Sequence, residues 1–182
     1  MRPVGYLSNT EGGLAGEPGL FYNYILAGNG LFIQAKSPLL QATVHIAEAR
    51  VRGLPPMEGR IDLPGGNIPR YLYSLALSVL LIDRTQERFL AVTWEGGYRI
   101  REPCQKTSDS EVIYEKLPST VLDIHSHGTM SAWFSGTDDK DEQGLRLYMV
   151  VGRLDTLIPE LEMRVGVYGY FGHVQFKEVF GV

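Results

Sequence analysis

The chain of 182 residues has a single cysteine, no run of basic residues and no long apolar stretch. One cysteine, Cys104, excludes an intramolecular disulfide framework and suits a reducing compartment, so a cytoplasmic setting is expected. The longest apolar run, Leu75 to Ile82, is broken by Ser78 and falls far short of the ~20 residues that a membrane helix needs. The opening Met1-Arg2-Pro3-Val4-Gly5 carries no apolar segment of signal-peptide type. No membrane partner is therefore expected. Lys and Arg number 17 against 21 Asp and Glu, a net charge of −4. Without clustered cations to displace counterions from phosphates, no nucleic-acid partner is expected either. What remains is ordinary for a folded domain: 44% hydrophobic and 21% charged residues, with no low-complexity tract and no internal repeat.

Gly and Pro punctuation divides the chain. Residues 1–20 are rich in Gly, Asn, Ser and Pro and read as a loose N-terminal segment. Phe21–Leu26 and Gly30–Ala35 are strand-like and flank Ala27-Gly28-Asn29-Gly30, a hairpin signal. Ala42–Val51 alternates partially and fits a strand or a short helix. Residues 53–69, with four prolines and four glycines, read as a linker or wrapping loop. Leu72, Leu75, Ala76, Val79 and Leu80 then recur at helical spacing behind Pro69, which predicts a helix over 69–81. Arg88–Trp94 and Tyr98–Arg101 around Gly96-Gly97 predict a second hairpin. Thr120–Ile124 reads as a short buried strand, and Thr137–Gly144, acidic at its start, as a short helix. Leu145–Val151, Met163–Phe171 and Val174–Phe180 read as three further strands. This order suggests an α+β domain on a mixed or antiparallel sheet over residues 66–182, behind a mostly β, hairpin-containing extension over 1–65.

Chemistry concentrates in the stretch from Asp123 to Asp138. His125 and His127, one residue apart at a strand end, project to the same side because side chains alternate along a strand. Both imidazoles can then face one ion, and an Asp from the start of the acidic segment can close a third corner. Two neutral nitrogens and one carboxylate leave a fourth tetrahedral position open for water, the mark of a catalytic rather than a structural zinc. Such an ion lowers the pKa of its water from about 15.7 toward ~7. An isolated His-x-His fits a decorated strand end just as well.

The run His-x-His, seven residues, Ser, two residues, Asp resembles the JAMM (JAB/MPN) zinc metalloprotease motif without a gap, over about residues 69–182. That resemblance implies an MPN/JAB-like (cytidine-deaminase-like) mixed sheet flanked by helices. It implies zinc as cofactor, with His125, His127 and Asp138 as ligands, in preference to the neighbouring Asp139 and Asp141. It gives Ser135 a role in stabilising the oxyanion, although Ser135 also suits a helix N-cap with Asp138 three residues on. It further implies an upstream Glu as general base. Glu87 is the first choice and Glu95, beside the Gly96-Gly97 turn, the reserve; the glycine that commonly follows this Glu in the family is missing here. The implied activity is cleavage after the C-terminal glycine of a ubiquitin-like protein or its conjugate. The stretch from Leu20 to Pro56 is also similar to the protein A family of the bacterial PRTRC cassette, which implies a ThiF/E1-like enzyme as a further partner. Two competing readings are a non-catalytic MPN-type interaction module and a DNA-associated relative resembling RadC. The first typically lacks the metal ligands, and the second usually has a proline where this chain has Phe134. Cys104 reads as structural or incidental, and His45 and His173 as ordinary, partly buried strand histidines. Trp133 and Phe134 fit either loop core or the wall of a substrate groove.

Overall fold

Strand dominates the computed structural model, which describes residues 2–108, 111–114 and 117–181. The contacts divide into two units, one comprising residues up to Pro64 with 142–145 and 165–172, the other the remainder. In the first, β1 (Val4–Thr10), β2 (Gly13–Glu17), β3 (Tyr22–Ala27), β4 (Gly30–Lys36), β5 (Gln41–Glu48) and β6 (Arg60–Asp62) form a sheet in the order β2-β1-β3-β4-β5-β6. β1 and β3 run parallel, and the other pairs are antiparallel. The expected hairpin is present, Ala27 pairing with Gly30 across a Gly28-Asn29 loop. Ala42–Val51 resolves as strand rather than helix, ending at Glu48.

The N-terminal residues are not loose. Gly5 serves close approach rather than flexibility: a Cβ there would lie 2.1 Å from Asn23 Oδ1 and 2.3 Å from the Gly19 nitrogen. Only glycine lets the β1 backbone come so near. The core of this unit includes Ile25, Ala27 and Phe32, with Leu7 and Met57 packed against them.

The remaining elements are α1 (Arg70–Leu80), β7 (Phe89–Trp94), β8 (Tyr98–Arg101), β9 (Gln105–Ser108), β10 (Glu111–Tyr114), β11 (Thr120–Ser126), α2 (Gly136–Asp141), β12 (Leu145–Gly152), β13 (Glu160–Val167), β14 (Tyr170–His173) and α3 (Phe176–Val179). A second six-stranded sheet has the order β14-β13-β12-β11-β7-β8, with β11 parallel to β12 and antiparallel to β7. α1 forms where the 3.6-residue period predicts it and buries Leu72, Ala76 and Leu80, one stripe at four-residue spacing. β7 and β8 make the second expected hairpin.

Three further expectations fail. Met163–Phe171 is not one strand, because the chain turns at Tyr168-Gly169 between β13 and β14. Val174–Phe180 is not a strand: Gln175 and Glu178 close a capping box, and Phe176 stacks on Phe180 at 4.5 Å, the i,i+4 contact of a helical turn. More broadly, the chain is not an α+β, MPN/JAB-like sheet flanked by helices. Among the described residues three short helices accompany fourteen strands, and two mixed six-stranded sheets make the protein mostly β. The pattern had hidden this, because β1 and β2 lie in Gly-rich sequence and only α1 among the helices reaches three turns. No helix among the described residues is long and apolar enough to cross a membrane.

Candidate metal centre

β11 is buried at all seven positions, although it contains Asp123, His125 and Ser126. Its central place between β7 and β12 explains the burial, and each polar side chain must then find a partner. Asp123 accepts from Arg146 Nη1 at 2.7 Å. Ser126 Oγ accepts from the Arg88 N–H at 3.1 Å, while the Ser126 N–H donates to Arg88 O at 3.0 Å. His125 is the exception: its Nε2 is buried and has no hydrogen-bond partner among the described residues.

That orphaned nitrogen faces the other two predicted ligands. Donor atoms of His125, His127 and Asp138 all lie within 4.8 Å of one another. His125 Nε2 is 3.6 Å from Asp138 Oδ1. Two donors on a tetrahedral ion at ~2.0–2.1 Å would be roughly 3.4 Å apart, so this edge is already near its metal-bound length. The triad can hold a metal ion.

Each ligand is oriented by its own support. Phe89, in register with His125, stacks on it at 5.1 Å and 24°. His127 Nδ1 lies 3.2 Å from Ser131 O. A carbonyl only accepts, so this bond needs a proton on Nδ1, and the tautomer that supplies it has its lone pair on Nε2. Ser135 caps α2 in the box anticipated from the sequence: its N–H donates to Asp138 Oδ2 at 2.6 Å, and its Oγ accepts from the Asp138 N–H at 3.2 Å. Pinning Oδ2 in this way directs Oδ1 toward His125. Burial pushes the His125 imidazole down to about 4, Asp138 pulls it up, and His127 and Arg164 add to the lowering. The ring is thus neutral at pH 7 and ready to coordinate.

The two candidate bases part company. The β7–β11 register runs to His125↔Phe89, the Ser126–Arg88 hydrogen bonds follow it, and half-buried Glu87 immediately precedes Arg88 at this end of β7. Glu95 follows the far end of the six-residue β7, roughly 20 Å away at ~3.3 Å per residue. It is also occupied, taking Arg101 Nε at 3.0 Å and Nη2 at 2.6 Å, and Arg101 and then Thr93 hold its carboxyl below the usual range.

Of the other residues weighed in the sequence, Asp139 is engaged by Arg164 Nη1 at 2.6 Å, and Cys104 is exposed. His45 and His173 are exposed rather than partly buried; His45 packs on Phe32 at 4.7 Å and His173 lies 4.0 Å from Glu162. Trp133, 52% exposed, stands edge-on to His127 at 5.7 Å, while Phe134 packs against His125 at 6.3 Å. Both are walls of the site. Sequence reasoning missed Arg164, whose guanidinium carbon lies 3.9 Å above the Phe134 ring. An arginine interrupting the apolar run Met163–Val167 was the available signal. Compared with protein-family models, curated proteins and solved structures, the chain finds no match in any of the three.

Proposed function

We propose that the protein is a zinc-dependent peptidase or isopeptidase that hydrolyses the bond after the C-terminal glycine of a ubiquitin-like protein or its conjugate. The observation that carries the hydrolase reading is the buried, partnerless His125 Nε2 facing Asp138 Oδ1 and His127 in a three-donor set. When bound, zinc would polarise a water and lower its pKa toward ~7. The chain's own residues do the rest. His125 and His127 present neutral nitrogens, and Asp138 adds the carboxylate that offsets part of the ionic charge. Glu87 takes a proton from the attacking water and returns it to the leaving amine. Ser135 Oγ accepts from the Asp138 N–H, so its own proton stays available to donate to the developing oxyanion. The peptidase and ubiquitin-like specificity rests on the resemblance of His125, His127, Ser135 and Asp138 to the JAMM motif, and so does a ThiF/E1-like partner. It does not draw on the helix-flanked architecture, which this chain lacks.

Elemental analysis of the purified chain is expected to give about one zinc per chain and near none for His127→Ala. Glu87→Gln keeps the zinc and loses cleavage of a ubiquitin-like protein bearing a C-terminal extension, by about 100-fold or more. Iron instead of zinc would sink the hydrolytic reading, because two imidazoles and one carboxylate also suit non-haem iron. Full activity in Glu87→Gln would remove Glu87 from the mechanism.

A further inference from the structure

The loop between His127 and Trp133 is fastened from outside the metal centre. Arg153, just past β12, takes φ 51°. That left-handed conformation costs a non-glycine residue about 1–2 kcal/mol, so other contacts must hold it there. From this position its N–H donates to Met130 O at 2.7 Å, and the next N–H, from Leu154, donates to Gly128 O at 2.9 Å. The backbone of Gly152 lies flush against the same loop: a Cβ there would meet the Ala132 nitrogen at 2.3 Å and Met130 O at 2.4 Å. The loop therefore has one place to sit.

Within that loop a single peptide group has both ends engaged. The Ser131 carbonyl holds His127 Nδ1 at 3.2 Å. The N–H of the same peptide, that of Ala132, donates to Glu160 Oε2 at 3.1 Å. Glu160 Oε1 in turn lies 3.7 Å from Arg153 Nε. A carboxylate thus reaches a metal-ligating imidazole through one amide plane. Metal-bound histidines commonly give their second N–H to a carboxylate or a carbonyl, which fixes the tautomer and raises ligand basicity. Here the carbonyl does so directly and the carboxylate does so at one remove. An anion accepting from the N–H pulls the peptide dipole into line and increases the negative charge on its oxygen.

We propose that Glu160 is a positioning residue for His127, acting through the Ser131–Ala132 peptide group to hold the imidazole in its metal-binding tautomer and orientation. The inference rests on the reading of His125, His127 and Asp138 as a zinc site, and names an element of it that the motif does not contain. Glu160 opens β13 and is half-exposed, so its replacement leaves the core intact. The test uses the full chain and measures zinc affinity by competition with a chromophoric chelator. Nitrogen–proton correlation spectra of the metal-free protein report on the His127 Nδ1 proton. Glu160→Ala is expected to weaken zinc binding about tenfold, within the range seen for outer-shell partners, and to speed exchange of that proton. Glu160→Gln, whose amide oxygen still accepts from Ala132, stays within about twofold of the wild type; this separates positioning from general destabilisation. A wild-type chain that takes up zinc while Glu160→Ala binds it equally well, with an unaltered His127 proton, overturns the proposal alone. A wild-type chain that takes up no zinc overturns it together with the metal reading.

Discussion

The two six-stranded sheets treat polarity in opposite ways. In the first, the buried positions of β4 and β5 are almost all apolar (Phe32, Ile33, Ala35, Ala42, Val44), and buried Thr43 is partnered by Gln34 at 3.0 Å. Its tyrosines gather at the surface instead, where Tyr6, Tyr22 and Tyr24 pack on one another at 5.5–5.9 Å. In the second, β11 is wholly buried and still carries two ionisable side chains and two hydroxyls. Apolar burial supports stability in the first sheet. The second accepts the desolvation of Asp123, His125 and Ser126, offsets it at Asp123 and Ser126 with hydrogen bonds, and leaves His125 Nε2 in a cluster that can hold a metal ion.

The sharpest way to break this comparison is to remove one of those partners. Arg146→Ala deprives buried Asp123 of its 2.7 Å ion pair. Breaking a pair around a buried charge costs about 3–5 kcal/mol, read as a lower unfolding free energy in a denaturant titration. A change below about 1 kcal/mol would mean that β11 tolerates the loss of this ion pair, and the contrast with the first sheet would fail.

Acid tests the same strand with a smaller effect. Burial holds the His125 imidazole near 4 in the folded chain, below its ordinary 6.5. Between these values the unfolded chain takes up a proton that the folded chain refuses, so the stability of metal-free protein is full above about 6.5 and falls as pH drops toward 4. The expected loss is on the order of 2–3 kcal/mol over that window, measured as a declining melting temperature that His125→Asn flattens. The same proton competes with an ion for Nε2, so zinc release is expected over the same range. A melting temperature independent of pH from 6.5 to 4 would place the imidazole in a wetter setting than β11 provides.

What could be read from the amino acids followed the range of the interactions involved. The β3–β4 and β7–β8 hairpins and α1 rest on local periodicity and turn residues, and they stand where the pattern put them. The triad was also legible, because two ligands share a strand face and the third follows a capping serine. Contacts distant in sequence were not. β1 reads as loose until Asn23 and Gly19 close on Gly5, and α3 reads as a strand until Gln175 and Glu178 cap it. The helix-flanked architecture implied by the motif failed for a related reason: a four-residue constellation constrains the site and says nothing of what covers the sheet. That Arg101 occupies Glu95 needed the β7–β8 pairing, which no spacing within the chain discloses.

The smallest effect belongs to the first unit. Tyr24 Oη and Tyr170 Oη lie 3.0 Å apart among the surface tyrosines. Tyr170 is 37% exposed, so water can take the place of either hydroxyl. Tyr24→Phe keeps the ring packing on Tyr6 and Tyr22 and removes only this bond, and it is expected to change stability by less than about 0.5–1 kcal/mol. Chemical denaturation of the variant beside Arg146→Ala gives the ratio directly. A loss for Tyr24→Phe as large as that for Arg146→Ala would show the tyrosine face to be as dependent on its polar pairing as the buried strand is. The distinction between a sheet that keeps its polar atoms wet and one that holds them dry around a ligand site would then have no energetic basis.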